Sequence, residues 1–243
     1  MEALEQLNQL SVNIEHTDMP VIIGIDEAGR GPAIGPMVYG MYVSHLKAVT
    51  NYKDSKLLTP KQRASFYEKI KKSGSKEGIV GFGYCKIHPA YITSHMEAKS
   101  KNLNEIAKDA VVRLLKEAQS KCKNIVTVYI DGLGDNKKYE EYLKKSFTLR
   151  FVIENKADSK YQVVSGASIV AKVVRDMEVE KYDCGSGYPA DPVTKKWLND
   201  NKSDFKGFPE IVRHSWKTVK NMMGSNSSKK CKKGLEGFFR GPN

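Results

Sequence analysis

Two apolar, β-branched runs, Val21-Ile-Ile-Gly-Ile25 and Met37-Val-Tyr-Gly-Met-Tyr-Val43, flank a stretch holding Gly29, Gly31, Pro32, Gly35 and Pro36. Strand formers interrupted by turn formers predict a β-hairpin over residues 21–43. Its apolar face needs a covering layer, and the chain downstream supplies helical periodicity. Leu103, Ile106, Ala107, Ala110, Val111, Leu114 and Leu115 recur every three or four residues within 99–121, one face of an amphipathic helix. Val163, Ala167, Val170, Val174 and Met177 predict a second long helix, from Tyr161 to about Lys181. Around these fall a helix over about 60–72, a strand over Gly78 to Lys86, a strand over Asn124 to Ile130, a lysine-rich helix over about 136–146 and a strand over Leu149 to Glu154. This order predicts an α/β fold. Its mixed five-stranded sheet is flanked by helices, the first strands antiparallel and the later ones joined by helical crossovers.

The chain's 243 residues suffice for one large domain or a domain with a small appendage. The main domain is expected over 18–184. The Gly- and Pro-rich loop Gly185 to Pro192 then leads to short helices near Val193 to Asp200 and Pro209 to Met222, a C-terminal helical subdomain over 185–223. Residues 224–243 read as a flexible basic tail that begins with the linker Gly224-Ser-Asn-Ser-Ser-Lys-Lys-Cys-Lys-Lys-Gly234.

Forty Lys and Arg against 28 Asp and Glu give a formal charge of +12. The tail carries +4 of it through Lys229, Lys230, Lys232, Lys233 and Arg240 against Glu236, so the body is basic by itself. A basic surface favours a polyanionic partner through phosphate neutralisation and counterion release, although a solvated lysine-rich surface has the same composition. Cysteines at 85, 122, 184 and 231 form no Cys-x-x-Cys pair and have no histidine at metal-ligand spacing. Neither a zinc site nor a disulfide framework is suggested, and a reducing compartment fits. No run approaches the length of a membrane span, and Met1 to Gln9 is acidic and polar rather than an export signal. The expected location is the cytoplasm, or the nucleus for a eukaryotic source.

Asp26 ends one apolar run and Asp131 ends another, Ile125-Val-Thr-Val-Tyr-Ile130, and glycine follows each closely. Ligands in α/β sheets gather outside the carboxyl ends of strands. Glu27 points away from Asp26 in a regular strand, so both serve one site only if the strand breaks at these acids, a break that the following Gly29-Arg30-Gly31-Pro32 favours. A fourth acid, Asp158, opens the long helix. Four converging carboxylates repel one another unless cations balance them. Hard oxygen ligands without His or Cys favour Mg²⁺ or Mn²⁺, and two such ions about 3.5 to 4 Å apart suit phosphodiester cleavage. Taken singly, Asp158 reads equally well as a helix N-cap and Asp131-Gly132 as an ordinary turn. A dinucleotide site at Gly29-x-Gly31 is disfavoured, because no helix follows and the third glycine is misplaced.

The segment Gly24-Ile-Asp-Glu-Ala-Gly-Arg-Gly-Pro32, followed by Gly35-Pro-Met37, resembles the opening signature of the type 2 ribonuclease H family. Further segments agree in order: Asp54-Ser-Lys56, Asp131 after its strand, Lys156-Ala-Asp158, Val163-Val-Ser-Gly-Ala-Ser-Ile169, Ala171-Lys-Val-Val-Arg-Asp176, Gly185-Ser-Gly-Tyr-Pro189 and Asp191-Pro192. The resemblance implies a ribonuclease H-like fold. It also implies cleavage of RNA in RNA/DNA hybrids and on the 5′ side of single ribonucleotides in duplex DNA, by two-metal-ion catalysis that leaves 5′-phosphate and 3′-hydroxyl ends. Roles in ribonucleotide excision and RNA primer removal go with it. Asp26, Glu27, Asp131 and Asp158 match the family's catalytic metal ligands. Gly29, Arg30 and Gly31 match the turn that reads the ribose, where glycines admit the backbone and the 2′-hydroxyl distinguishes RNA from DNA. Tyr188 matches the tyrosine that packs on the adjoining deoxynucleotide, though a buried loop aromatic fits the sequence equally. Lys56, Lys172 and Arg175 are candidate phosphate contacts, the latter two otherwise solvated helix residues. Gly166 departs from the family's frequent alanine. The short stretch before Gly185 and the segment Asp54-Ser-Lys-Leu-Leu-Thr-Pro60 resemble single-chain archaeal members, which implies an active monomer.

The tail segment Lys232-Lys-Gly-Leu-Glu-Gly-Phe-Phe239 resembles the motif that docks on the DNA sliding clamp, with Leu235, Phe238 and Phe239 as anchors and Lys232 in the usual glutamine position. A terminal helix folding back onto the body is the other reading. Two functions compete with the hybrid-cleaving one. The first is another metal-dependent nuclease on the same fold, such as a resolvase or type 3 ribonuclease H. The second is a non-catalytic nucleic-acid-binding protein, against which all four filled acidic positions argue.

Overall fold

The computed structural model describes residues 5–48, 58–72, 78–203 and 207–224. Strands β1 (Gln9–Ile14), β2 (Val21–Ala28), β3 (Met37–His45), β4 (Ile79–Ile87), β5 (Ile125–Asp131) and β6 (Phe151–Glu154) form one sheet in the order β1-β4-β3-β2-β5-β6. The β2-β3-β4 meander is antiparallel, whereas β5 and β6 add in parallel beside β2. The sheet has six strands rather than the five read from sequence, because β1 pairs antiparallel with β4. Leu10, Val12 and Ile14 alternate onto the core, but the strand is a half-exposed edge in a segment dominated by polar residues, so its period-two signal is weak.

The helices are α1 (Pro60–Lys72), α2 (Pro89–Glu97), α3 (Leu103–Lys121), α4 (Asn136–Lys144), α5 (Ala157–Lys160), α6 (Gln162–Val179) and α7 (Pro192–Asp200), with a last helical stretch over 217–224. Among the described residues no helix is long and apolar enough to cross a membrane. The start of α3 is fixed by a capping box: Asn102 accepts from the Asn104 and Glu105 amides, and the Glu105 carboxylate accepts from the Asn102 amide. The apolar stripe of α3 covers one face of the sheet with α2 and α4, and α6 covers the other with α1.

Close approach of α6 depends on glycines in the sheet. A Cβ at Gly24 would stand 2.0 Å from the Val163 carbonyl oxygen, and one at Gly40 2.3 Å from that of Ala167. Gly166, the departure noted above, faces the Tyr42 ring, where a Cβ would come within 2.8 Å of Cγ.

A third core joins the C-terminal segment to the hairpin loop: Ala33 and Ile34 pack with Val179, Leu198, Phe208 and Val212. The helix expected over Pro209 to Met222 begins only at 217. The preceding backbone is engaged elsewhere, since Gly35 N–H donates to the Ile211 carbonyl (2.9 Å) and Arg213 N–H to that of Ala33 (2.8 Å), with a bridge between Ile34 and Val212.

Candidate metal centre

β2 and β5 run in parallel only as far as Ile25↔Ile130, while β2 stays paired with β3 to Ala28↔Val38. The two parallel strands thus splay just where Asp26, Glu27 and Asp131 begin, which corrects the expected break: the strand continues through both acids. Beyond the end of the β5 ladder, the Glu27 N–H donates to Asp26 Oδ1 at 2.7 Å. Asp26 lies on the α6 face, where Ser168 donates a hydrogen bond to it, and the longer Glu27 reaches the same point from the other face.

Asp26, Glu27 and Asp131 each offer one carboxylate oxygen, and these lie within 4.8 Å of one another. Asp131 is fixed by the Ala157 N–H, which donates to its Oδ1 at 2.7 Å. Asp158 is 4% exposed and sits inside the first turn of α5, outside that mutual spacing, although its charge reaches Glu27. It does not cap the helix, because the N-cap is Lys156 in the left-handed region (φ 58°). Burial, then the charge of Glu27, holds the Asp26 carboxyl well above the usual range. Burial pushes the Glu27 carboxyl up to about 7, Asp131 adding to the shift and Arg30 opposing it. Glu27 Oε2 is buried with no hydrogen-bond partner. Mutually repelling, desolvated hard-oxygen donors with an orphaned oxygen fit a divalent cation.

A cleft of about 420 Å³ opens from Glu27 along the Gly29-Arg30-Gly31 turn to Lys172, Arg175 and Tyr188. Residues far apart in sequence therefore line one cavity. Gly29 needs its positive φ of 78°, and a Cβ at Gly31 would stand 3.3 Å from Tyr188 Cε1, so the tyrosine ring lies against the turn. Tyr188 is 46% exposed and not a buried loop aromatic. Lys172 is half-buried on the cleft wall. Arg175 is buried, not solvated: it donates to the Ser186 carbonyl, pairs with Asp176, and its guanidinium carbon stands 5.9 Å from the Tyr188 ring centroid. Lys56, Leu235, Phe238 and Phe239 lie outside the described residues.

Three residues that no sequence motif pointed to complete the site. Arg63 of α1 lines the cleft and pairs with Asp176 at 3.5 Å. Arg213 is fully buried and donates to the carbonyl oxygens of Gly35 (2.9 Å), Arg30 (3.0 Å) and Gly29, and the Trp216 indole N–H donates to that of Gly31 (2.9 Å). Burial lowers the Arg213 pKa to about 9, which leaves it a cation at neutral pH. A buried arginine in the Phe208-Pro-Glu-Ile-Val-Arg213 stretch carries no periodicity signal, because its partners are backbone carbonyls about 180 residues away.

The family profile described as Ribonuclease HII matches residues 23–219. Ribonuclease HII of Pyrococcus furiosus is 38% identical over 232 residues, covering 90% of this chain and 98% of that one. The crystal structure of the ribonuclease H2 from Pyrococcus horikoshii OT3 superposes with a TM-score of 0.71 at 33% identity, covering 84% of this chain and 98% of that one. The Archaeoglobus fulgidus RNase HII, solved in complex with PCNA, gives 0.68 at 31% identity, with 81% and 95% covered.

Proposed function

The chain belongs to the ribonuclease HII family of metal-dependent endoribonucleases, and on that premise we propose that it cuts the RNA strand of RNA/DNA hybrids and the 5′ side of single ribonucleotides in duplex DNA. The carrying observation is the meeting of three carboxylates with the Gly29-Arg30-Gly31 turn at one end of a basic-walled cleft. Asp26, Glu27, Asp131 and Asp158 would hold two divalent cations, Mg²⁺ or Mn²⁺, whose chemistry there would be to activate water and stabilise the leaving oxygen.

The protein's own groups do the rest. The turn, braced from behind by Arg213 and Trp216, presents backbone groups to the ribose, and the 2′-hydroxyl is the donor and acceptor they read. Tyr188, backed by Arg175, stacks on the neighbouring deoxyribose. Lys172, Arg175 and Arg63 face the phosphates, with Lys56 a further candidate. Cleavage of a duplex holding one ribonucleotide, with its product ends identified, tests this reading. Cutting 5′ of the ribonucleotide to leave 5′-phosphate and 3′-hydroxyl ends is expected, and cutting confined to continuous hybrids would refute the single-ribonucleotide assignment.

We further propose that the tail docks on a sliding clamp through Leu235, Phe238 and Phe239, a reading supported by the relative solved with PCNA. Removing residues 232–243 should abolish clamp binding and spare cleavage of free substrate; clamp binding that survives the truncation would sink the idea. The enzyme is assigned as a monomer acting in the cytoplasm, or in the nucleus of a eukaryote, and light scattering tests the first point.

A further inference from the structure

Beneath Glu27, on the α3 face of the sheet, lies a group of polar atoms that the functions described so far leave without a task. Tyr39 on β3 stands directly opposite Glu27 on β2 in the antiparallel register. Residues so paired project to the same face, with Cβ atoms about 5 Å apart. Tyr139 comes up from α4, the helix that follows Asp131 by a short loop. Both tyrosines are 1% exposed, and both hydroxyls are buried with no hydrogen-bond partner. Two further orphaned atoms belong to the residues above them, Glu27 Oε2 and Arg30 Nη1. The other Arg30 terminal nitrogen, Nη2, donates to Asn104. Besides their burial, the charges of Glu27 and Arg30 act on both phenols, and Tyr139 acts on Tyr39.

A buried phenol without a partner is costly, and phenylalanine would fill the same space without that cost. Two such hydroxyls within reach of one carboxylate's charge therefore mark a polar floor. A carboxylate has about four acceptor sites, so a Glu27 that gives one oxygen to the acidic cluster retains acceptors for O–H donors. Ligating carboxylates are commonly held in this way by outer partners.

We propose that Tyr39 and Tyr139 are positioning residues, whose hydroxyls orient the Glu27 carboxylate toward the acidic cluster and so tune its hold on divalent cations. The inference rests on the metal-dependent reading above and is tested separately from it. Tyr39→Phe, Tyr139→Phe and the double variant remove only the two oxygens. In chelator, their thermal stability should equal or exceed that of the parent, because an unpaired buried dipole is lost. Mn²⁺ binding measured by calorimetry should weaken by roughly 10-fold or more in the double variant. The Mg²⁺ concentration for half-maximal cleavage should rise in parallel, with KM for the hybrid at saturating metal unchanged.

Parent-like Mn²⁺ affinity in the double variant would overturn the proposal, as would a loss of thermal stability in chelator without a change in metal affinity, the mark of ordinary core tyrosines. A parent protein that binds Mn²⁺ but cuts no hybrid would refute the proposed function instead, and the calorimetric comparison would still decide the role of the tyrosines.

Discussion

Replacing Arg213 by methionine should release the Gly29-Arg30-Gly31 turn without emptying the space behind it. The side chain is fully buried and donates to three backbone carbonyls, those of Gly29, Arg30 and Gly35. Each carbonyl left unpartnered costs about 1–3 kcal/mol. Part of that is returned, because the desolvation that holds the Arg213 pKa at about 9 vanishes with the guanidinium. A net loss of about 3–5 kcal/mol follows, the lower part of the range for three carbonyls at that cost each. At about 2–4 °C per kcal/mol for a chain of this size, Tm should fall by roughly 6–20 °C. The turn moves as well, and a misplacement near 1 Å costs roughly 100-fold in kcat/KM. Calorimetry in chelator and steady-state cleavage of a single-ribonucleotide duplex below the new Tm read the two effects separately. Arg213→Lys, which keeps a donor, should fall between methionine and the parent. A methionine variant within about 2 °C of the parent would show that the three carbonyls do not depend on Arg213. One that is unstable yet keeps its kcat/KM would show that the turn does not read the substrate.

The two glycines of the turn should fail in different ways. In Gly29→Ala a Cβ would meet the Pro36 carbonyl oxygen at 2.5 Å with φ at +78°, so Tm should drop, by the equivalent of about 1–3 kcal/mol. In Gly31→Ala the neighbour is the exposed Tyr188 ring at 3.3 Å, which can yield, so KM should rise with little change in Tm; the reverse ranking would contradict these contacts. The apo-protein should lose stability as pH rises from about 4.5 to about 7, because folded Glu27 binds a proton that its unfolded form, with the ordinary pKa of 4.5, has released. Raised Asp26 contributes in the same direction, and Mg²⁺ should restore more stability above this window than below it. Tm scans in chelator across the window should show a smaller slope in Glu27→Gln, and an identical slope would refute the assignment. Asp131→Asn should reduce Mg²⁺-dependent cleavage by about 100-fold or more, beyond what an outer partner costs. Its chelator Tm should be unchanged or higher, since a charge that repels Glu27 is removed. Undiminished cutting by this variant would place the active site elsewhere.

The helices α3 and α6, the meander and the two strands that carry the acids were legible because local burial repeats at 3.6 or 2 residues and leaves its period in the sequence. The motif segments carried the family by their order along the chain. Edge strand β1 left too faint a period to be read, and α2 was not anticipated at all. Convergence was not written locally either. Alternation alone sends Asp26 and Glu27 to opposite faces, and they meet because the β2-β5 ladder stops at Ile25↔Ile130 while β2 continues beside β3. Arg213 and Trp216 escaped for a related reason: their partners are carbonyl oxygens, which every residue possesses and no side-chain pattern reveals. Sequence by itself determined the strand-and-helix order, the acids and the chemistry they suit. Tertiary structure alone decided which oxygens approach within 4.8 Å, what braces the turn behind them, and which buried hydroxyls lie beneath Glu27, since each depends on contacts between segments distant in the chain.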